Sequence, residues 1–211
     1  MTQPPQLSSR LAAGLTARLI HDIAGLASAI TTGLDLYTAP DSDDLKDSAL
    51  DLATSSGQSL LDRLDFYRTA FGGGDEPHNT DTIQRLAAKQ FGNHRTQLDW
   101  PASTTALPNP AAQVLLIMTQ IASDALMANG AIRVALDSKP GKLNLRVEGR
   151  GSRIMFHPEV KAGLVGREQH NGVAGRWAPA FYLHTLVTAA AGLLSIDLGK
   201  GGFLLEAALP T

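Results

Sequence analysis

Apolar residues recur at helical spacing along most of the first 71 residues. They return every three or four positions from Leu11 to Tyr37, and a second run with the same period covers residues 42–71. Pro40 cannot continue a helix, and the glycines at 72–74 end the second run. The pattern predicts two long helices that form a hairpin over residues 1–73.

The remaining residues, 74–211, alternate between helical and strand-like patterns. They predict an α/β sandwich with helices on one face of a sheet, so that the whole chain has an α+β fold. Gly149-Arg150-Gly151 is interpreted as a hairpin turn, because no Walker lysine pattern follows it. We expect helices over 80–91, 111–127 and 177–191, and strands over 97–100, 132–136, 143–148, 153–156, 194–198 and 203–209.

Two helices alone cannot shield an apolar stripe of this length, since 27 residues of helix extend about 40 Å at ~1.5 Å each. A second copy of the hairpin would close a four-helix bundle. The sequence therefore predicts a homodimer.

Composition narrows the classes of function. A formal net charge of −2 does not suggest a nucleic-acid partner, and the absence of cysteine excludes disulfides, thiolate nucleophiles and Cys-based metal sites. No segment shows the pattern of a signal peptide or a membrane span. We expect a cytoplasmic protein without a membrane partner.

His21 stands out within the first predicted helix. At ~100° per residue, Leu19, Ile23, Leu26 and Ile30 point away from it and form the apolar seam. The residues on its own side are small or short, and glycine there costs ~1 kcal/mol relative to alanine, so we expect this face to admit a docking partner. An exposed imidazole suits nucleophilic chemistry near neutral pH. The predicted docking face comprises Gly14, Ala17, Arg18, Gly25, Ser28 and Thr32.

Residues 18–36, "RLIHDIAGLASAITTGLDL", resemble the ChpT-type histidine phosphotransferases, which are related to the dimerisation and catalytic halves of sensor histidine kinases. The resemblance extends over the whole chain. It implies that His21 accepts a phosphoryl group, with Asp22 beside it, and that residues 74–211 are a degenerate, Bergerat-type ATPase domain without an ATP site. Family members often carry a proline at the position of Leu26, where it kinks the helix.

The same resemblance implies the partners. The receiver domain of a hybrid histidine kinase donates the phosphoryl group, and the aspartates of response regulators accept it, including that of a DNA-binding regulator that governs the cell cycle. Mg²⁺ is expected in the receiver, and no cofactor or metal is expected in this chain. Arg18 could offset phosphoryl charge.

Three other functions remain open. An ATP-dependent sensor kinase would need an asparagine where Asp124 stands and an aspartate where Val147 stands. A non-catalytic scaffold could bind receivers without accepting phosphate. An HD phosphohydrolase would need further histidines around a metal, whereas His78, His94, His157, His170 and His184 are scattered singly.

Overall fold

The computed structural model describes residues 5–40, 43–92, 96–101, 106–168 and 175–211. It confirms the predicted α+β fold, in which a helical hairpin precedes a unit of helices and sheet. None of the helices within these ranges is long and apolar enough to cross a membrane. His94 and His170 lie outside the described residues.

The hairpin consists of α1 (Pro5–Thr38) and α2 (Lys46–Phe71), joined through a short 3₁₀ turn at Asp43–Leu45. The helix α1 runs without interruption through Leu26. The two helices pack closely together at Gly33, which is buried. A Cβ at this position would lie 2.7 Å from the Ala49 carbonyl oxygen, so glycine permits the close crossing.

The second unit begins after the glycines at 72–74. The cap of its first helix is formed by Asn79, whose side chain accepts a 2.9 Å hydrogen bond from the backbone N–H of Asp81. Its elements are β1 (His78–Asn79), α3 (Thr80–Phe91), β2 (Thr96–Asp99), β3 (Ala106–Leu107), α4 (Asn109–Ala125), β4 (Gly130–Lys139), β5 (Lys142–Gly151), α5 (Pro158–Leu164), α6 (Trp177–Ala189), β6 (Leu193–Gly199) and β7 (Gly202–Leu209).

Within the described ranges, five of these strands form one sheet in the order β2-β4-β5-β7-β6. The strands β2 and β4 are parallel, and the other pairs are antiparallel. Buried and less buried positions alternate along β5 and β7, so one face of the sheet carries the core. The helix α4 packs on this face and is buried along most of its length, since α2, α3 and α6 also contact it.

The structure corrects two details of the predicted sheet. Residues 153–156 do not form a strand, because Ile154 makes a single antiparallel bridge with Leu126 and the short helix α5 follows at once. Gly149-Arg150-Gly151 is not a turn but the end of β5. The ring of Phe203 lies directly over Gly149, so a side chain there would collide with it.

Apolar packing anchors the hairpin to the second unit. Near the start of α1, Leu11 and Leu15 pack against Trp177 and Phe181 of α6. At the end of α2, Phe66 and its neighbours join the main core. These contacts hold the central part of α1, which carries His21, beside the end of α4.

Candidate functional site

The imidazole of His21 lies on the outer face of the hairpin, as the helical spacing predicts. Its side chain is 86% exposed, whereas Leu19, Ile23 and Ile30 on the opposite side of α1 are partly buried. The ring is therefore accessible to a large partner.

Asp22 connects this exposed ring to a buried polar cluster. Its Oδ1 lies 3.1 Å from Nδ1 of His21. Its Oδ2 accepts hydrogen bonds from Nε of Arg18 at 3.0 Å, from Nη1 of Arg63 at 3.2 Å and from the hydroxyl of Tyr67 at 2.5 Å. With a side chain only 11% exposed, Asp22 is held from three directions by both helices of the hairpin.

These contacts shift three pKa values. Burial alone would raise the pKa of Asp22, but the hydrogen bond from Tyr67 and the charge of Arg18 hold it below its ordinary value. Burial, together with the hydrogen bond to Asp22, raises the pKa of Tyr67 to about 12. Burial would lower the pKa of Arg18, yet the nearby carboxylates of Asp124 and Asp22 raise it.

The ionised state of Asp22 favours one tautomer of the ring. A carboxylate can only accept hydrogen bonds, so its contact with Nδ1 of His21 favours the tautomer with the proton on Nδ1. The lone pair of the neutral ring is then on Nε2, the nitrogen that faces away from the cluster. The arrangement supplies an oriented, exposed nitrogen nucleophile.

The structure divides the predicted docking face. Ala17, Gly25, Ser28 and Thr32 are exposed, and no atom lies within 4 Å of the place where a side chain on Gly25 would begin. Gly14 is buried, so it does not belong to the exposed part of this face.

Arg18 also differs from its predicted role. Its side chain is 18% exposed, and its guanidinium pairs with both Asp22 and Asp124. This pairing does not present a free cation to a phosphoryl group.

A cavity of about 680 Å³ extends from His21 towards the second unit. Its wall includes Arg18 and Asp22 on α1, Asp124 on α4, and Met155 and Arg176 on the far side. His21 therefore lies at the edge of a cleft that both units form.

Sequence reasoning missed Arg63 and Tyr67. They lie 41 and 45 residues from Asp22 in the chain, and only their spacing of one helical turn in α2 indicates that they share a face. The sequence indicates Asp124 only as the residue in place of a kinase asparagine. It does not indicate the pairing with Arg18, which lies 106 residues away.

The sequence model of the histidine phosphotransferase C-terminal domain matches residues 80–202. The chain belongs to this family. The described residues contain no group of three or more histidines and carboxylates that could hold a metal ion, so the contacts that an HD phosphohydrolase needs are not found among them. A search of curated proteins by sequence yields no match.

Solved structures share the fold of this histidine phosphotransferase. A bacterial phosphotransferase determined at 1.7 Å matches with a TM-score of 0.84 and 24% identity over 98% of both chains. The histidine kinase domain of the blue-light activated kinase EL346 of Erythrobacter litoralis has a TM-score of 0.51 and 14% identity, over 87% of this chain and 95% of its own. The catalytic domain of the histidine kinase ThkA, with a TM-score of 0.50 and 14% identity, covers 65% of this chain and 96% of its own.

In a kinase, two of the positions considered in the sequence analysis would bind adenine and Mg²⁺. The residues that stand there in this chain do not fit that role. Val147, in the place of the adenine-binding aspartate, is fully buried in the core and offers no hydrogen-bond acceptor in its side chain. Asp124, in the place of the Mg²⁺-binding asparagine, is paired with Arg18.

Proposed function

We propose that this histidine phosphotransferase is the intermediate of a two-component phosphorelay. His21 accepts a phosphoryl group from the phosphoaspartate of a hybrid kinase receiver and passes it to the aspartates of response regulator receivers. The observation that carries the proposal is the exposed His21 ring, whose Nδ1 is held by a buried carboxylate.

The chemistry requires little from the chain beyond this nucleophile. Nε2 of His21 attacks the phosphorus in line, the N–P bond forms, and the P–O bond to the receiver aspartate breaks to release its carboxylate. Phosphorylation on Nε2 leaves the proton on Nδ1, where the negative charge of Asp22 stabilises the cationic ring. The receiver supplies Mg²⁺, and the second transfer is the reverse of the first with another receiver aspartate.

The docking surface for both receivers is the exposed part of the predicted face, formed by Ala17, Gly25, Ser28 and Thr32. Small side chains let the receiver backbone approach until its phosphoaspartate reaches His21. We expect this exchange in the cytoplasm, and we expect no own ATP-dependent kinase activity, since Val147 and Asp124 do not fit Mg-ATP.

A homodimer is part of the proposal. Large apolar side chains remain exposed on both helices of the hairpin, and exposed apolar surface is typical of an interaction site. A second hairpin would cover such side chains in a four-helix bundle. They include Ile20, Leu34, Leu50, Leu61 and Leu64. Sedimentation at micromolar concentration should give the mass of two chains, and a monomer would contradict this part.

The function is tested with the receiver domains of hybrid histidine kinases from the source genome, each labelled by its own kinase domain and radioactive ATP. At least one should transfer label to this protein, and a response regulator receiver added next should remove it. His21→Ala should accept no label, whereas His78→Gln, a histidine on β1 bonded to Asn109, should accept it normally. Label on His21→Ala, or transfer from no receiver, would contradict the proposal. Receiver binding without transfer would support the scaffold instead.

A further inference from the structure

Arg18 links Asp22, the carboxylate beside His21, to the second unit of the chain. Its Nε donates to Oδ2 of Asp22 at 3.0 Å, and its Nη2 donates to Asp124 at 3.0 and 3.2 Å. A guanidinium can make both contacts at once, because its N–H groups diverge in a fixed plane. The contact to Asp124 is the polar link between α1, which carries His21, and the end of α4.

We propose that Asp124 is a positioning residue for phosphotransfer, which acts through Arg18 and Asp22 on the ring of His21. The inference rests on the proposed function of His21. It assigns a role to the second unit that does not involve ATP: α4 holds the guanidinium that in turn orients the carboxylate behind the nucleophile.

Burial supports a positioning role for Arg18. Its side chain is 18% exposed and that of Asp22 is 11% exposed, so the pair cannot rearrange freely into water. Asp124 is 47% exposed, at the edge of the cleft beside His21. Without Asp124, one side of the guanidinium loses its partner and Arg18 can turn towards the cleft, which weakens its hold on Asp22.

The contacts of Asp22 explain why this loss reaches the ring. Oδ2 is shared by Arg18, Arg63 and Tyr67, and Oδ1 is left for Nδ1 of His21. If Arg18 departs, the carboxylate can rotate towards the two donors on α2, and its contact with Nδ1 weakens. A larger fraction of the molecules then has the tautomer with the proton on Nε2, and that nitrogen has no lone pair for attack.

The test compares Asp124→Asn, Asp124→Ala and Arg18→Lys with the matched control Asp197→Asn, an exposed aspartate on β6 outside this cleft. Two readouts are measured on the full chain. The first is the single-turnover rate of transfer from a saturating labelled receiver, with receiver affinity determined separately. The second is the ¹⁵N shift pair of the His21 ring, which reports the tautomer without any partner and is assigned with His21→Ala.

We expect Asp124→Ala and Arg18→Lys to slow transfer by about tenfold, with Asp124→Asn intermediate and receiver affinity unchanged, because small errors in the position of a reacting group cost one to two orders of magnitude. The ring should shift towards the Nε2–H tautomer in the same order. Asp197→Asn should match the parent protein in both readouts. Lysine keeps the charge of Arg18 but cannot contact two carboxylates in a fork, so it should not rescue.

Parent-like rates and ring shifts in Asp124→Ala would overturn the inference while leaving the role of His21 intact. Weaker receiver binding with a parent-like saturating rate and an unchanged ring would also overturn it and make Asp124 a docking residue. If the parent protein accepts no label, the proposed function fails, and the ring shifts still decide whether Asp124 positions His21.

Discussion

The hydroxyl of Tyr67 offers a sharp test of the cluster behind His21. Tyr67→Phe removes one hydrogen bond to the Asp22 carboxylate, whose O–O distance is 2.5 Å. The ring itself should stay in place, because it packs edge-on against Phe66 at 5.8 Å and beside Phe71 at 5.5 Å between centroids. The substitution therefore isolates the hydroxyl.

The expected cost follows from burial and from the remaining donors. A hydrogen bond to a charged group contributes about 1.5–3 kcal/mol, and both partners are largely buried. Arg18 and Arg63 still hold Asp22 in the variant, which places the loss near the lower bound, at about 1.5 kcal/mol. For a chain of this size, that loss lowers Tm by about 3–6 °C.

Urea unfolding followed by circular dichroism measures this loss, with Tyr37→Phe as the matched control. Tyr37 is exposed near the end of α1, so its hydroxyl should contribute less than about 0.5 kcal/mol. Equal unfolding free energies for the two variants would refute the reasoning, since the hydroxyl of Tyr67 would then have no effect beyond that of an exposed one.

Four further predictions use independent measurements. The lowered pKa of Asp22 means that its ion pairs stabilise the fold above pH ~4 and are lost as pH falls through the folded-state pKa. Asp22→Asn should therefore flatten the acid limb of the curve of unfolding free energy against pH, and an unchanged limb would contradict this. Because the pKa of Tyr67 is raised to about 12, its stabilising contribution is fully present below pH ~10 and lost between there and 12, a loss that Tyr67→Phe should abolish. Gly33→Ala should lower the unfolding free energy by about 1–3 kcal/mol, since its methyl group would meet the Ala49 carbonyl; a neutral result would show that the helices can separate at no cost. Gly25→Arg should unfold like the parent protein yet bind a receiver at least tenfold more weakly, and unchanged binding would refute the docking face.

The sequence was sufficient to predict the structural features that depend on local periodicity. The position of His21 opposite Leu19 and Ile23 follows from the helical turn alone. Most helices and strands likewise follow from the spacing of apolar residues along the chain. The strand predicted at 153–156 was wrong. The consecutive apolar residues from Ile154 to Phe156 suit a strand, yet Ile154 makes only a single bridge and α5 follows.

Contacts between distant segments escaped prediction. No pattern in α1 indicates that Leu11 packs against Trp177 of α6, or that the carboxylate of Asp22 meets Tyr67 from α2. The partner of Arg18 on α4 depends on how two units are held together, which periodicity within either one does not determine.

The central claim is that the Nε2 atom of His21 carries the phosphoryl group. The direct measurement is ³¹P and ¹⁵N NMR of the protein after transfer from a phosphorylated receiver domain, with peptide mass spectrometry under conditions that preserve phosphohistidine. We expect one phosphoryl group per chain, bonded to Nε2 of His21, with the proton kept on Nδ1 beside Asp22. A phosphoryl group on Nδ1, or on any other residue, would contradict it.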